Sequence, residues 1–260
     1  MVVSLTVIGQ QKKFKFPKVE ITSFEWFDNN QSSAYEFINR STYFEVNKKG
    51  KWTSVTIMHQ RIKVNGQEDL NEIDLKFSLK QDDSLTESIK NVQVSIHVLN
   101  KNKVKRKKYK SEVITINNTS ANEKVALIEI PESSFPVIID LSYTFSSPFY
   151  RIPTLKMQEY LPIQHYSATI RIPSYFEYDR RVIGSFRFKA QESQEFRDVR
   201  IMNTKQGFTK EMDGYFKESV SETVLQVSEF ISEFEMSNIP SFESVLEGYR
   251  IRYDLINAQF

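Results

Sequence analysis

The chain of 260 residues has no cysteine. That single absence excludes disulfides, thiolate metal sites and a cysteine nucleophile. Glycine is scarce too, at 7 residues against a usual share of about 7%. Turns must therefore rely on Asn, Asp, Ser and Lys, and a Gly-rich loop cradling a phosphate is not expected. Histidine occurs three times, at His59, His97 and His165, far apart and without ligand-like neighbours. No metal or base role is expected of any of them, and His97 falls on the polar side of its segment, as a solvated residue would. HExxH, GxSxG, P-loop and dinucleotide-binding patterns are all missing. No apolar run approaches the roughly 20 residues of a membrane-spanning helix, so no integral membrane segment is expected. The net charge of +2 gives no ground for a nucleic-acid partner. Composition and motifs thus single out no catalytic, metal or cofactor-binding residue, and no cofactor.

The chain is rich in residues that suit a pleated surface, with 20 Phe and 12 Tyr beside frequent Val, Ile and Thr. Strict alternation recurs in Ile73–Leu79, Val92–Val98, Val137–Phe145, Tyr166–Ile172 and Tyr249–Leu255. A period of two means one face buried and one face wet, which is how antiparallel strands read. Segments of this kind need a shared core, so the sequence predicts a mainly all-β chain built as an antiparallel β-sandwich. Asn47-Lys48-Lys49-Gly50 reads as a hairpin turn with Gly at the left-handed position. One stretch departs from the pattern. Across 207–235, Val220, Val224, Val227, Phe230, Ile231 and Phe234 follow a helical spacing, so one or two short helices are allowed there, although Glu233–Met236, just ahead of Asn238-Ile239-Pro240, reads equally as a strand. Residues 12–260 read as one domain, with a sub-layer break at 148–162 as the alternative. Met1–Gly9 is apolar and gives way at once to Gln10–Lys13, so residues 1–11 read as a signal-peptide remnant and the chain as secreted, periplasmic or surface-attached. The alternative is that Val2–Ile8 forms a first strand of the domain.

Few constellations carry chemistry. Glu177 and Asp179 share a face if their segment is extended, but Arg180 and Arg181 follow directly, and a solvated strand face is the expectation over a glycosidase-like pair. Lys101–Lys110 holds seven basic residues in ten. It could track phosphates or anionic glycans, yet the simpler reading is a hairpin whose exposed edge strand is protected by lysines. Aromatics at Phe145–Tyr150 and Tyr175–Tyr178 could line a glycan or peptide groove, although such rings more often pack between layers. Asn30, Asn39 and Asn118 each begin an N-glycosylation sequon.

Four short motifs appear in order: Tyr143-Thr-Phe-Ser-Ser-Pro148, Gln158-Glu-Tyr-Leu-Pro-Ile163, Ile172-Pro-Ser-Tyr-Phe-Glu-Tyr178 and Asn238-Ile-Pro-Ser-Phe-Glu243. This succession resembles an uncharacterised bacterial domain family that precedes transglutaminase-like domains in secreted or surface proteins. The resemblance covers approximately Ser41–Phe260 and is strongest after Tyr143. It implies a β-sandwich with no catalytic residues of its own and a C-terminal transglutaminase-like catalytic domain as partner. That partner's chemistry needs a Cys, which this chain lacks, so no catalytic residue carries over. The resulting expectation is a non-catalytic module that docks a polypeptide or envelope substrate. A free-standing carbohydrate-binding sandwich with a glycan ligand is the alternative, and a carboxylate-based hydrolase the second alternative.

Overall fold

The computed structural model describes residues 14–258 apart from 29–31, 47–49, 74, 83, 132, 185–187, 206–218 and 242–248. In chain order the strands are β1 (Ala34–Val46), β2 (Trp52–Val64), β3 (Lys76–Asp82), β4 (Leu85–Thr86) and β5 (Ser88–Asn100). Then come β6 (Lys103–Tyr109), β7 (Ile114–Ser120), β8 (Glu123–Ile128), β9 (Val137–Ser147) and β10 (Leu155–Lys156). The last five are β11 (Ile163–Pro173), β12 (Phe176–Ile183), β13 (Lys189–Lys205), β14 (Ser219–Ile239) and β15 (Arg250–Ala258). Strand takes up 68% of the structure and helix 7%, so the chain is all-β. The helices are single turns, α1 (Glu25–Asp28) and α2 (Gln67–Asn71).

One eight-stranded sheet, ordered β13-β14-β11-β1-β2-β9-β5-β6, forms the base of the sandwich. Its inner face follows from register. Phe44, Thr42, Arg40 and Ile38 on β1 stand beside Ser54, Thr56, Met58 and Gln60 on β2, which in turn stand beside Ser147, Phe145, Tyr143 and Leu141 on β9. Two smaller sheets lie side by side on this face. The four-stranded sheet β4-β3-β8-β7 covers the β9 side, with Phe77 of β3 edge-on to Tyr143 at 4.9 Å. The three-stranded sheet β10-β15-β12 covers the β1 and β11 side, with the Phe176 ring 4.6 Å from that of Phe44. Between them lies a continuous apolar core that includes Phe44, Ile62, Leu141, Leu155 and Ile170, all fully buried. Each such side chain contributes about 1.5–3 kcal/mol.

The outer face of the large sheet is not simply wet. The segment before β1 lies across it. Phe14 and Phe16 contact Phe37 and His59, and Val19 and Phe24 bury Ile138 of β9. This cover corrects the expectation for His97. The residue does fall on the side of β5 opposite Val94 and Ile96, but it is only 5% exposed, because a second layer of chain closes over that side.

Residues 219–235, which the sequence leaves open between helix and strand, are strand throughout as part of β14; residues 206–218 lie outside the described ones. β14 changes its buried face midway. Val227, Glu229 and Ile231 are buried on one side, then Phe234 and Met236 on the other, where they meet Ala168 and Tyr166 of β11. The three-residue step from Ile231 to Phe234 at that crossover imitates helical spacing. Gly50 has the left-handed φ expected of it, 73°, while residues 47–49 of that turn lie outside the described ones; Lys101 and Asn102 close the β5–β6 hairpin with φ 46° and 56°.

Candidate functional site

The two small sheets do not meet perfectly. Where β3 faces β10 across the seam, a cavity of about 230 Å³ reaches down to the inner face of the large sheet. Its buried lining includes Arg40, Gln60, Tyr143 and Tyr166, with Ile38 and Phe145 among the apolar walls. Exposed Lys76, Ser78, Thr154 and Lys156 stand at its rim, so it opens to solvent between the sheets.

Arg40 is the unusual member. It occupies an inward position of β1 and is 3% exposed. Its Nη1 donates to the Thr154 carbonyl at 3.0 Å, Nη2 to the Pro153 carbonyl, and Nε to Thr42 Oγ1 at 3.4 Å. Every acceptor is neutral. Among the described residues no carboxylate lies within ion-pair distance of this guanidinium. Burial pushes its pKa down, opposed only by the Tyr166, Tyr143 and Tyr253 hydroxyls. Burial likewise pushes the Tyr166 hydroxyl up to about 12, with Arg40 pulling the other way, so it stays protonated and can donate. Gln60, on the neighbouring strand, is 8% exposed, and its Oε1 is buried without a hydrogen-bond partner. An unsatisfied buried amide costs about 1–3 kcal/mol.

A second polar cluster sits beneath the N-terminal segment on the outer face. Arg61 Nε and Nη2 reach Asp140 Oδ1 and Oδ2 at 2.7 and 3.2 Å, and His97 Nε2 stands 3.1 Å from Asp140 Oδ2. Glu36 adds ion pairs to Arg61 at 3.7 Å and Lys63 at 3.1 Å. His97 and Asp140 open onto a groove of about 1200 Å³ between the N-terminal segment and β6, edged by Lys15, Lys18, Lys103, Arg106 and Lys108. His–Asp is two thirds of a nucleophilic triad. Among the described residues, though, no hydroxyl is hydrogen-bonded to His97. The cluster reads as an ionic tie fastening the N-terminal segment, since Arg61 also donates to the Pro17 carbonyl.

Glu177 is exposed on β12, and Asp179 is paired at the surface with Arg181 at 2.7 Å; neither lines the seam cavity or the groove. The basic run forms β6, the edge strand of the large sheet. Lys105 and Lys107 stand on one side of it, and Arg106 and Lys108 on the side of His97 and Ser95. The two aromatic groups do meet, but as packing: Phe176 lies 5.0 Å from Tyr150, Tyr175 lies 6.0 Å from Trp52, and the Tyr178 hydroxyl donates to the Tyr150 carbonyl. His165 is exposed beside Ser237. His59 is half-buried, and desolvation lowers its pKa to about 4. Asn39 donates to Ser167 Oγ at 2.8 Å, Asn118 is exposed on β7, and Asn30 and residues 1–13 lie outside the described residues.

No family model matches the chain, and no curated protein matches it. Solved structures do. The chain is similar to the crystal structure of a candidate protease from Parabacteroides distasonis, with a TM-score of 0.53 and 13% identity, over 85% of this chain. At that identity the likeness shows the fold alone. The match spans 40% of the other protein's chain, so the sandwich there is one part of something longer.

The seam residues escaped the sequence reading, yet they left a trace. Arg40 and Gln60 sit at inward positions of strands whose other inward residues are mostly apolar or small. A long polar side chain in that phase is the signal that could have found them.

Proposed function

We propose that this chain is a non-catalytic β-sandwich module that works outside the cytoplasm beside a transglutaminase- or protease-like catalytic domain and holds polypeptide or envelope substrate for it. The observation that carries this reading is the asymmetry of the structural match, which takes in 85% of this chain and 40% of a larger candidate protease. The ordered motifs from Tyr143 to Glu243 support the same association, and the apolar Met1–Gly9 supports the location. The seam cavity supports a binding role. It combines a fixed guanidinium, an amide, tyrosines and apolar walls, the mixture by which pockets orient a ligand. The packed aromatics of β12 leave the glycan alternative without its expected platform.

The test uses the purified chain and carboxymethylated casein as an unfolded polypeptide probe. Fluorescence anisotropy should show saturable binding, while the chain alone should neither hydrolyse nor transamidate the probe. Amide hydrolysis or transamidation that co-purifies with the folded chain would overturn the non-catalytic reading. A folded chain that ignores the probe at all concentrations would overturn the docking role.

A further inference from the structure

We propose that the seam cavity is a receptor for the free C-terminal carboxylate of a polypeptide, with Arg40 taking the carboxylate and Gln60 the adjoining peptide group. This rests on the docking reading above and names what is docked.

Arg40 is buried with three neutral oxygens as partners. A guanidinium carries five N–H groups in a rigid fork, so two remain after those bonds. The carbonyls of Pro153 and Thr154 fix the plane of the fork without neutralising it. Pinning that loop would explain the two carbonyl bonds but not the choice of a full charge, since a neutral donor would do the same at lower desolvation cost. A carboxylate matches what is left, in charge and in the bidentate geometry that arginine favours.

Gln60 supplies the second half. Arg40 lies opposite Met58 across the β1–β2 ladder, and Gln60 is two residues further along on the same face. The Cα atoms of diagonal neighbours of this kind stand about 7–8 Å apart. The last residue of a peptide places its carboxylate about one residue, ~3.8 Å, from the preceding peptide link, and hydrogen bonds of about 2.9 Å complete the reach. The Gln60 amide makes no hydrogen bond among the described residues, and a primary amide can donate to and accept from a peptide group at once. Ile38, Met58, Phe77 and Phe145 line the rest of the space. At about 230 Å³ the cavity exceeds the ~150 Å³ that accommodates benzene, so an apolar terminal side chain fits. Lys76 and Lys156 at the mouth add to the local positive potential, partly offset by Glu159 in the same lining.

The probes are N-acetylated tripeptides ending in Ala, Leu or Phe, each made as free acid and as C-terminal amide, titrated into the full chain by calorimetry. The free acids should bind, with the amides at least tenfold weaker. Arg40→Lys should weaken the acids at least tenfold, because the fork is lost while the charge remains. Gln60→Met keeps the shape and removes an amide that bonds nothing among the described residues, so it should fold at least as stably as the parent and still bind the acids at least fivefold less tightly. Acids and amides binding alike would overturn the carboxylate assignment. Acids that fail to bind a chain that does bind casein would overturn the terminal receptor and leave the docking role standing. Acids and casein both failing would overturn both. Unchanged affinity in Gln60→Met would remove Gln60 from the receptor.

Discussion

Replacing Asp140 by alanine puts the ionic tie on the outer face to a direct test. The carboxylate is 3% exposed and faces two partners, Arg61 at 2.7 Å and His97 at 3.1 Å. Arg61 is itself 3% exposed at its side chain, so the variant leaves a guanidinium in a poorly solvated place. Removing one member of a buried pair costs about 3–5 kcal/mol. Glu36 at 3.7 Å and the Pro17 carbonyl remain beside Arg61, which puts the expectation at the lower end, about 3 kcal/mol. Each kcal/mol moves the Tm of a chain this size by about 2–4 °C, so Asp140→Ala should melt about 6–12 °C earlier. Calorimetric melts and urea midpoints at neutral pH read this directly. A companion, Arg61→Met with Asp140→Leu, removes both charges and should recover more than half of the loss, because the cost lies in the stranded charge. If the single variant stays within about 1 kcal/mol of the parent, or the double is no better than the single, then the tie does not hold the N-terminal segment.

Two further outcomes are expected. Desolvation lowers the pKa of His59 to about 4 from its ordinary 6.5, so between those values the unfolded chain binds more protons than the folded one. The resulting stability is complete above pH 6.5 and fades as pH falls towards 4, and His59→Phe should flatten that slope in melts run from pH 7 to pH 4. A variant that melts with the parent's full pH dependence would place the titration elsewhere. Gly184 has φ 100°, and a Cβ there would run into the Tyr249 ring. Gly184→Ala should therefore cost about 1–3 kcal/mol in urea unfolding, and a neutral result would show that this junction relaxes freely.

Alternation made the sheets legible because it reports directly which side of a strand is dry. It reported His97 wrongly for an equally physical reason. A period of two distinguishes the faces of a strand but does not say whether the polar face meets water or another layer of chain, and Phe14–Phe24 provide such a layer. The same limit left β14 open between helix and strand: Val227–Ile231 and Phe234–Met236 each alternate, while the crossover between them extends the helical spacing begun at Val220 and Val224. The lysines of β6 were readable as an edge because their purpose is local. The seam cavity was not, because Arg40 and Gln60 are brought under residues 76–78 and 153–156 by sheet packing that no local pattern encodes.

The centre of the large sheet holds one further consequence. β1 pairs in parallel with β11, joining Tyr35–Thr42 to Ile163–Ile170. Every strand on the far side of that joint, and all of the three-stranded sheet, comes from residues after 154. During synthesis, then, β1 can pair with β2 while its other margin stays open until β11 has emerged more than a hundred residues later. An open margin of 13 residues is a template for pairing with any neighbouring chain, and closing it requires a long loop to be brought together first. The interval between ribosomal emergence of β1 and of β11 is therefore the period in which this protein most needs to be kept apart from its own copies. Chains truncated before residue 163 should remain in that state and be recovered as aggregates.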